Sequence, residues 1–187
     1  TVLEIFEHLK TSSSALNQTI EHLKELVDIN THMVHKKESL DLNLYLNKVL
    51  GILSEEISNN KVKIYKQIPK NCNIAFNPSY LESILLNFTT NAIKYSHPDR
   101  TPEIYYSMKK EDGKCVLEIK DNGLGIDLEK HGRKLFGMYK TFHKNKNSRG
   151  IGLFITKNQI ESMGGNIEVE SKTNIGTTFK IFFSNEV

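Results

Sequence analysis

The run Cys115-Val116-Leu117-Glu118-Ile119-Lys120 is rich in strand formers and leads straight into Asp121-Asn122-Gly123-Leu124-Gly125-Ile126-Asp127. A strand therefore ends on a carboxylate, with two glycines following at alternating positions. Glycine has no β-carbon and reaches positive φ, so a ligand can come close to the backbone at such a place. The competing reading is a plain polar turn. Short glycine motifs match by chance, so the choice depends on what the rest of the chain sets beside this stretch.

A length of 187 residues suits one domain of ordinary size plus an appendage. With 38% hydrophobic and 25% charged residues the chain is a globular protein rather than a disordered one. Its net charge of +3 is too small to argue for nucleic acid, and none is expected as a partner. No apolar run approaches the roughly 20 residues of a membrane span, and no secretory signal is visible. The expected location is cytoplasmic, whether or not a parent protein is anchored in a membrane. The chain opens on Thr1, which reads as an excised piece of something longer. Cys72 and Cys115 sit in strand-like runs outside any CxxC or Cys/His pattern. That predicts free thiols in a reducing compartment and no zinc site.

Residues 1–35 predict one long helix. Val2, Phe6, Leu9, Ser13, Leu16, Ile20, Leu23, Val27 and Asn30 alternate spacings of four and three, which is a heptad seam. It points to self-association or bundle packing, against the simpler reading of a surface helix on its own domain. Residues 32–39 read as a helix end and linker. Ser39 or Asp41 caps a second helix over 42–58, and residues 61–68 and 72–76 alternate as strands. Asn77-Pro78 is a cap followed by proline at the first helical position, opening a helix that runs to about 96. Two strands, 103–108 and 115–120, join through Asp112-Gly113. Residues 128–149 lack periodicity and carry an excess of Lys and Arg. A helix over 153–163 ends at Gly164-Gly165, and strands over 166–171 and 177–183 close the chain. Helices mixed with hairpins predict a two-layer α/β sandwich, a mixed sheet covered on one face by helices, preceded by the long N-terminal helix.

Three segments then gather around the opening one. Asn87, Asn91 and Lys94 fall at i, i+4 and i+7, so they share one helix face. That row is either a solvated face or a ligand face. Ser148-Arg149-Gly150-Ile151-Gly152-Leu153 is a glycine loop feeding a helix start, where free N–H groups and the helix dipole favour a phosphate.

At this point the chain resembles the catalytic, ATP-binding domain of two-component sensor histidine kinases, in the GHKL superfamily with its Bergerat fold. Residues 87–95 match that family's N box and residues 121–126 its first glycine box. Leu135-Phe136-Gly137-Met138-Tyr139 with Phe142 matches the F box, and residues 149–155 the second glycine box. Gly176-Thr177-Thr178-Phe179 matches the final strand signature. The resemblance covers about residues 40–187. It divides the chain into residues 1–38, the second helix of a dimerisation and histidine-phosphotransfer hairpin whose first helix is missing, and residues 39–187, the catalytic domain.

The resemblance implies ATP and Mg²⁺ as ligands. Asp121 would accept a hydrogen bond from the exocyclic amine of adenine. Guanine presents a carbonyl oxygen there, and two facing acceptors repel. Asn91 would offer an amide oxygen to Mg²⁺, and Lys94 a charge to a phosphate. Gly123, Gly125 and Ile126 would also bind the nucleotide, with Tyr95 flanking it. Arg149, Gly150, Ile151, Gly152 and Leu153 would meet the phosphates. Thr178 is expected near the adenine, its register against Thr177 left open. Phe136 either anchors a lid over 128–149 in an apolar socket or is an ordinary core residue. ATPases of the superfamily carry a Glu where Asn87 stands, and an amide cannot act as general base. The implied reaction is transfer of the γ-phosphoryl to a histidine, with Asn87, Asn91 and Lys94 as the catalytic set. The implied partners are a response-regulator receiver domain, the missing phosphoacceptor helix and a second copy paired through residues 1–35. A degenerate nucleotide-binding scaffold is the alternative, and a GHKL ATPase a further one. His8 lacks the acid and proline of a phosphoacceptor box, so the fragment alone is not expected to phosphorylate itself. Ser148 and Arg149 also depart from the family's loop pattern.

Overall fold

The computed structural model describes residues 6, 13, 36–111, 114–137 and 151–184. The chain divides into two compact units, Thr1–Val34 and His35–Val187. In the first, Phe6 and Ser13 are the described residues, both helical. The other seven seam positions, His8, His22, His32, His35, Asp112-Gly113, Met138, Tyr139, Phe142, His143, Ser148, Arg149 and Gly150 lie outside the described residues.

The second unit contains β1 (Glu38–Asp41), α1 (Leu42–Ile52), α2 (Ser54–Asn59), β2 (Lys63–Gln67), β3 (Asn73–Phe76) and α3 (Pro78–Lys94). Then come β4 (Glu103–Glu111), β5 (Lys114–Asp121), α4 (Leu128–His131), α5 (Gly152–Ser162), β6 (Asn166–Lys172) and β7 (Gly176–Phe182). The five-stranded sheet has the order β2-β4-β5-β7-β6, with β2 parallel to β4 and the other pairs antiparallel. This is the mixed α/β sheet that the alternating runs predicted.

Two local expectations change. The linker reading of residues 32–39 missed β1, which pairs antiparallel with β3 as a separate two-stranded sheet. Four residues with one buried side chain, Leu40, give too little pattern to read as a strand. The helix expected over 42–58 breaks at Leu53, which is buried with φ −91° and ψ 10°. Its start is as expected, because Asp41 accepts the Asn43 N–H at 2.9 Å. Asn77 caps α3 in the same way through the Tyr80 N–H, at 3.1 Å.

Strand alternation sorts the sheet into two faces. Cross-strand register lines up Tyr106, Ile119, Phe179 and Val169 on one of them. Ile104, Leu117, Ile181 and Ile167 join them there, all buried. Onto this face α3 packs Leu81, Ile84, Leu85, Phe88, Ala92 and Ile93, with the Phe88 and Phe179 rings 4.5 Å apart. Tyr106 adds a buried hydroxyl contact to Thr89 at 2.7 Å. The other face carries the stacked, exposed rings of Tyr65 and Tyr105 and the Lys109–Glu118 and Lys180–Glu170 ion pairs. A buried Leu, Ile or Phe contributes about 1.5–3 kcal/mol, an exposed ion pair under about 1 kcal/mol. The covered face therefore dictates the arrangement. Among the described residues no helix is long and apolar enough to cross a membrane.

Candidate functional site

The last two turns of α3 carry Asn87, Asn91 and Lys94 along one side, as their spacing requires. Asn91 donates its Nδ2 hydrogen to Asn87 Oδ1 at 3.1 Å. Asn87 in turn donates from Nδ2 to Thr156 Oγ1 on α5, at 2.7 Å. With its nitrogen committed to Asn87, Asn91 turns its oxygen outward, and among the described residues no donor reaches it. An outward amide oxygen is a hard ligand of the kind Mg²⁺ takes. Lys94 is the exposed end of the row, 5.8 Å from the Tyr95 ring centre. Partial burial lowers its ammonium below the ordinary lysine range.

The stretch from Asp121 onward is folded back against the end of α3. Leu124 donates its N–H to the Tyr95 carbonyl at 2.9 Å. A β-carbon on residue 123 would stand 2.5 Å from that carbonyl oxygen, so this position admits glycine. Gly125 has φ +66°, and a β-carbon there would collide with the Lys172 carbonyl. The close approach that both glycines permit is therefore to the protein's own backbone. At both positions the absence of a β-carbon is thus required by the fold itself. Arg100 clamps the same loop: its Nη2 donates to the Gly123 carbonyl at 3.3 Å and to the Asn174 carbonyl at 2.7 Å. Asn122 braces the start of β4 by accepting the Glu103 N–H at 2.9 Å. Asp127 caps α4 through the Lys130 N–H at 3.1 Å.

Inside this frame Asp121 presents an asymmetric carboxylate. Oδ1 accepts the Gly123 N–H at 2.8 Å and the Thr177 N–H at 3.2 Å. Oδ2 accepts nothing from the described residues. Burial pushes the carboxyl above its ordinary range, and the two N–H groups pull it partway back. The open oxygen is thus a desolvated acceptor, held in place by its partner oxygen and suited to an amine donor.

Thr177, buried, lies on the Asp121 face of the sheet. Thr178 pairs with Lys120 and Glu170 on the opposite, solvent-facing side. Strand alternation reverses the side with every residue, so Thr177 and not Thr178 shares the face of Asp121. Leu135 is 1% exposed, while Phe136 is half-buried with Lys157 Nζ 5.4 Å from its ring centre. At the start of α5, Ile151 is buried and Gly152 lies against Asn87, whose Oδ1 a β-carbon at 152 would strike. Leu153 is half-buried beside it.

Three groups escaped the sequence reading: Arg100, Thr156 and Ser171. The Ile126 N–H donates to Ser171 Oγ at 2.8 Å, which ties the loop to β6. None of the three lies at a spacing that marks it, because each acts on a segment distant in sequence. Among the described residues no cluster of three or more His, Cys, Asp and Glu side chains is placed to hold a metal.

Comparison with known proteins bears on the family and the fold. The family model described as histidine kinase-, DNA gyrase B- and HSP90-like ATPase matches residues 76–187. Sensor protein kinase WalK of Staphylococcus aureus (strain MRSA252) is 29% identical over 155 residues, 81% of this chain and 25% of WalK. The chain thus spans about a quarter of the length of that curated relative. The Acinetobacter baumannii histidine kinase AdeS shares the fold with a TM-score of 0.80 at 22% identity, over 97% of this chain and 84% of that one. Full-length ShkA in complex with AMPPNP gives a TM-score of 0.76 at 19% identity, over 95% of this chain and 38% of that one. The chain belongs to the family of histidine kinase-, DNA gyrase B- and HSP90-like ATPases, as a homologue of the catalytic domains of WalK and other sensor histidine kinases.

Proposed function

We propose that this chain is the ATP-binding kinase module of a two-component sensor histidine kinase, delivering the γ-phosphoryl of ATP to a histidine on a dimerisation helix outside residues 1–187. The observation that carries the nucleotide part is the asymmetric Asp121 carboxylate, with Oδ1 saturated by Gly123 and Thr177 and Oδ2 open. Full-length ShkA, of the same fold, is a complex with AMPPNP, an adenine nucleotide analogue. Asn91, with its oxygen turned outward, would hold Mg²⁺. When bound, the ion neutralises phosphate charge and keeps part of its water shell. Lys94 adds a cation at the end of the same row, and α5 opens beside Asn87 with a helix N-terminus that favours phosphate.

Asn87 supports transfer over hydrolysis. Its amide is engaged by Asn91 and Thr156 and has no proton-accepting base to offer a water. Kinship with sensor kinases supports a receiving histidine and a receiver-domain partner, and the heptad spacing supports a homodimer through residues 1–35.

A fluorescent ATP analogue titrated with and without Mg²⁺ tests the reading. Saturable, Mg²⁺-strengthened binding with little ATP turnover is expected. Phosphotransfer should appear when the missing phosphoacceptor helix is supplied in trans or the chain is extended upstream. Absence of saturable binding leaves a scaffold, and robust ATP turnover lost on Asp121→Asn leaves an ATPase.

A further inference from the structure

The hydroxyl of Ser171, on β6, touches three other parts of the site. It accepts the Ile126 N–H at 2.8 Å, donates to the Gly176 carbonyl at 2.9 Å and lies 2.9 Å from Thr177 Oγ1. A serine hydroxyl has one proton to give and two positions at which to accept. The Ile126 N–H can only donate, and the Gly176 carbonyl can only accept. The single Ser171 proton therefore goes to Gly176, and one acceptor position goes to Ile126. The remaining acceptor position faces Thr177. All three contacts are satisfied together only when the Thr177 hydroxyl donates to Ser171.

That arithmetic reaches the ligand end of the site. Thr177 is 6% exposed, and its backbone N–H binds Asp121 Oδ1 at 3.2 Å. Its side chain shares the sheet face of Asp121. With its proton held by Ser171, Thr177 has only lone pairs left. Asp121 Oδ2 has only lone pairs as well. We propose that Ser171 is a positioning residue which, by holding the Thr177 proton, keeps the Asp121 end of the site acceptor-only and so sets selectivity for a purine bearing an exocyclic amine over one bearing a carbonyl oxygen. The inference rests on the reading that Asp121 receives the base. Ser171 touches no ligand; it acts through the hydroxyl of its neighbour. Without it, the Thr177 proton is free to rotate toward a carbonyl oxygen and satisfy it.

The test compares Mg²⁺-ATP with Mg²⁺-inosine triphosphate, which carries a carbonyl oxygen where ATP carries the amine. Affinities are measured calorimetrically on the full 187-residue chain. The unaltered protein should favour ATP. Ser171→Ala should narrow the ATP-to-inosine preference by about three- to tenfold, the range of one net hydrogen bond. Adding Thr177→Val, which removes the freed proton while keeping the shape, should restore the preference. A general loosening of the site would lower both affinities together and would not be reversed by the second substitution. An unchanged ratio in Ser171→Ala, or a narrowed ratio that persists in the double variant, overturns the inference while leaving ATP binding intact. An unaltered protein that binds neither nucleotide, or both equally, overturns the inference along with the reading beneath it. Should the alanine variant not fold, Ser171→Cys, a weak donor of similar shape, carries the same expectation.

Discussion

Asn87 and Thr156 are joined across the α3–α5 interface by a 2.7 Å hydrogen bond in which the asparagine amide donates to the threonine hydroxyl. That bond decides which end of Asn87 faces Asn91, and through it which end of Asn91 faces outward. Thr156→Val keeps the shape and removes the acceptor. Leaving the Asn87 N–H without its partner should cost about 1–3 kcal/mol. Beyond that loss, the Mg²⁺-dependent part of nucleotide binding should weaken about 10- to 100-fold, as for other residues that orient a metal ligand. Mg²⁺-free binding should hold, and Thr156→Ser should recover both. An Mg²⁺ titration at fixed nucleotide reads the effect; equal losses with and without the metal would refute it.

Asp121 predicts a trade between stability and binding. Its folded-state carboxyl lies above the ordinary Asp value because burial disfavours the charge. The native state therefore binds the proton more tightly than the unfolded chain. The stabilising contribution of that proton is complete below the ordinary Asp pKa and is lost as pH rises through the raised value. At neutral pH the ionised group opposes folding. Asp121→Asn keeps an oxygen for the Gly123 and Thr177 N–H groups and turns an NH₂ donor toward the ligand. It should stabilise the ligand-free protein by roughly 0.5–2 kcal/mol and abolish ATP binding. Thermal melts with and without nucleotide at neutral pH check both halves.

At the start of the basic segment, depth of burial ranks two neighbours. Leu135→Ala should destabilise by about 2–5 kcal/mol, the cost of emptying a closed apolar site. Phe136→Ala should cost far less, since that ring is half-buried and its contact with Lys157 is a partly solvated cation–π pair of about 0.5–1 kcal/mol. Urea denaturation of the two variants gives the order directly; the reverse order would place the anchor at Phe136.

Gly125→Ala probes the fold-back of the loop. The residue sits at φ +66° with the Lys172 carbonyl where a β-carbon would go, so both strain and collision follow. The variant should lose more than about 1 kcal/mol, and ATP affinity should fall because Asp121 is held by the same loop. Arg100→Ala, which frees the Gly123 and Asn174 carbonyls, should lower affinity with a smaller effect on the melting temperature.

Elements with a strong local signature were legible in the sequence. The Asn77 cap, the α3 stripe and the β4–β5 pair stand where residue types and spacing put them, because each is decided by neighbours close in sequence. Four-residue β1 was not, since its partner β3 lies more than 30 residues on and supplies the pattern that β1 lacks. The faces that Asn91 and Asp121 occupy were legible because helical and strand periodicity fix them. The side of Thr177 versus Thr178 was not, because two identical residues in a row leave the alternation unread until a cross-strand partner fixes it. Gly123 and Gly125 were seen as places of close approach, but the sequence cannot say whether a ligand or the Tyr95 and Lys172 carbonyls come close. Arg100 and Ser171 act through single atoms on remote loops, and nothing in their neighbours' identities announces it.

The pairing of Ile104 with Asp121 at the end of β5 makes the side on which this carboxylate stands a matter of parity. Between Leu117 and Asp121, two residues per repeat keep the carboxylate on the helix-covered face. One inserted or deleted residue in that interval would turn the acid out toward Tyr105 and Lys180, on the open side of the sheet. A two-residue change would return it to the covered side one repeat away. Length variation in β5 is thus tolerated only in even steps as far as side is concerned, and even those would carry Asp121 away from the Gly123 and Thr177 amides. The strand is a ruler whose last mark is the Asp121 carboxylate.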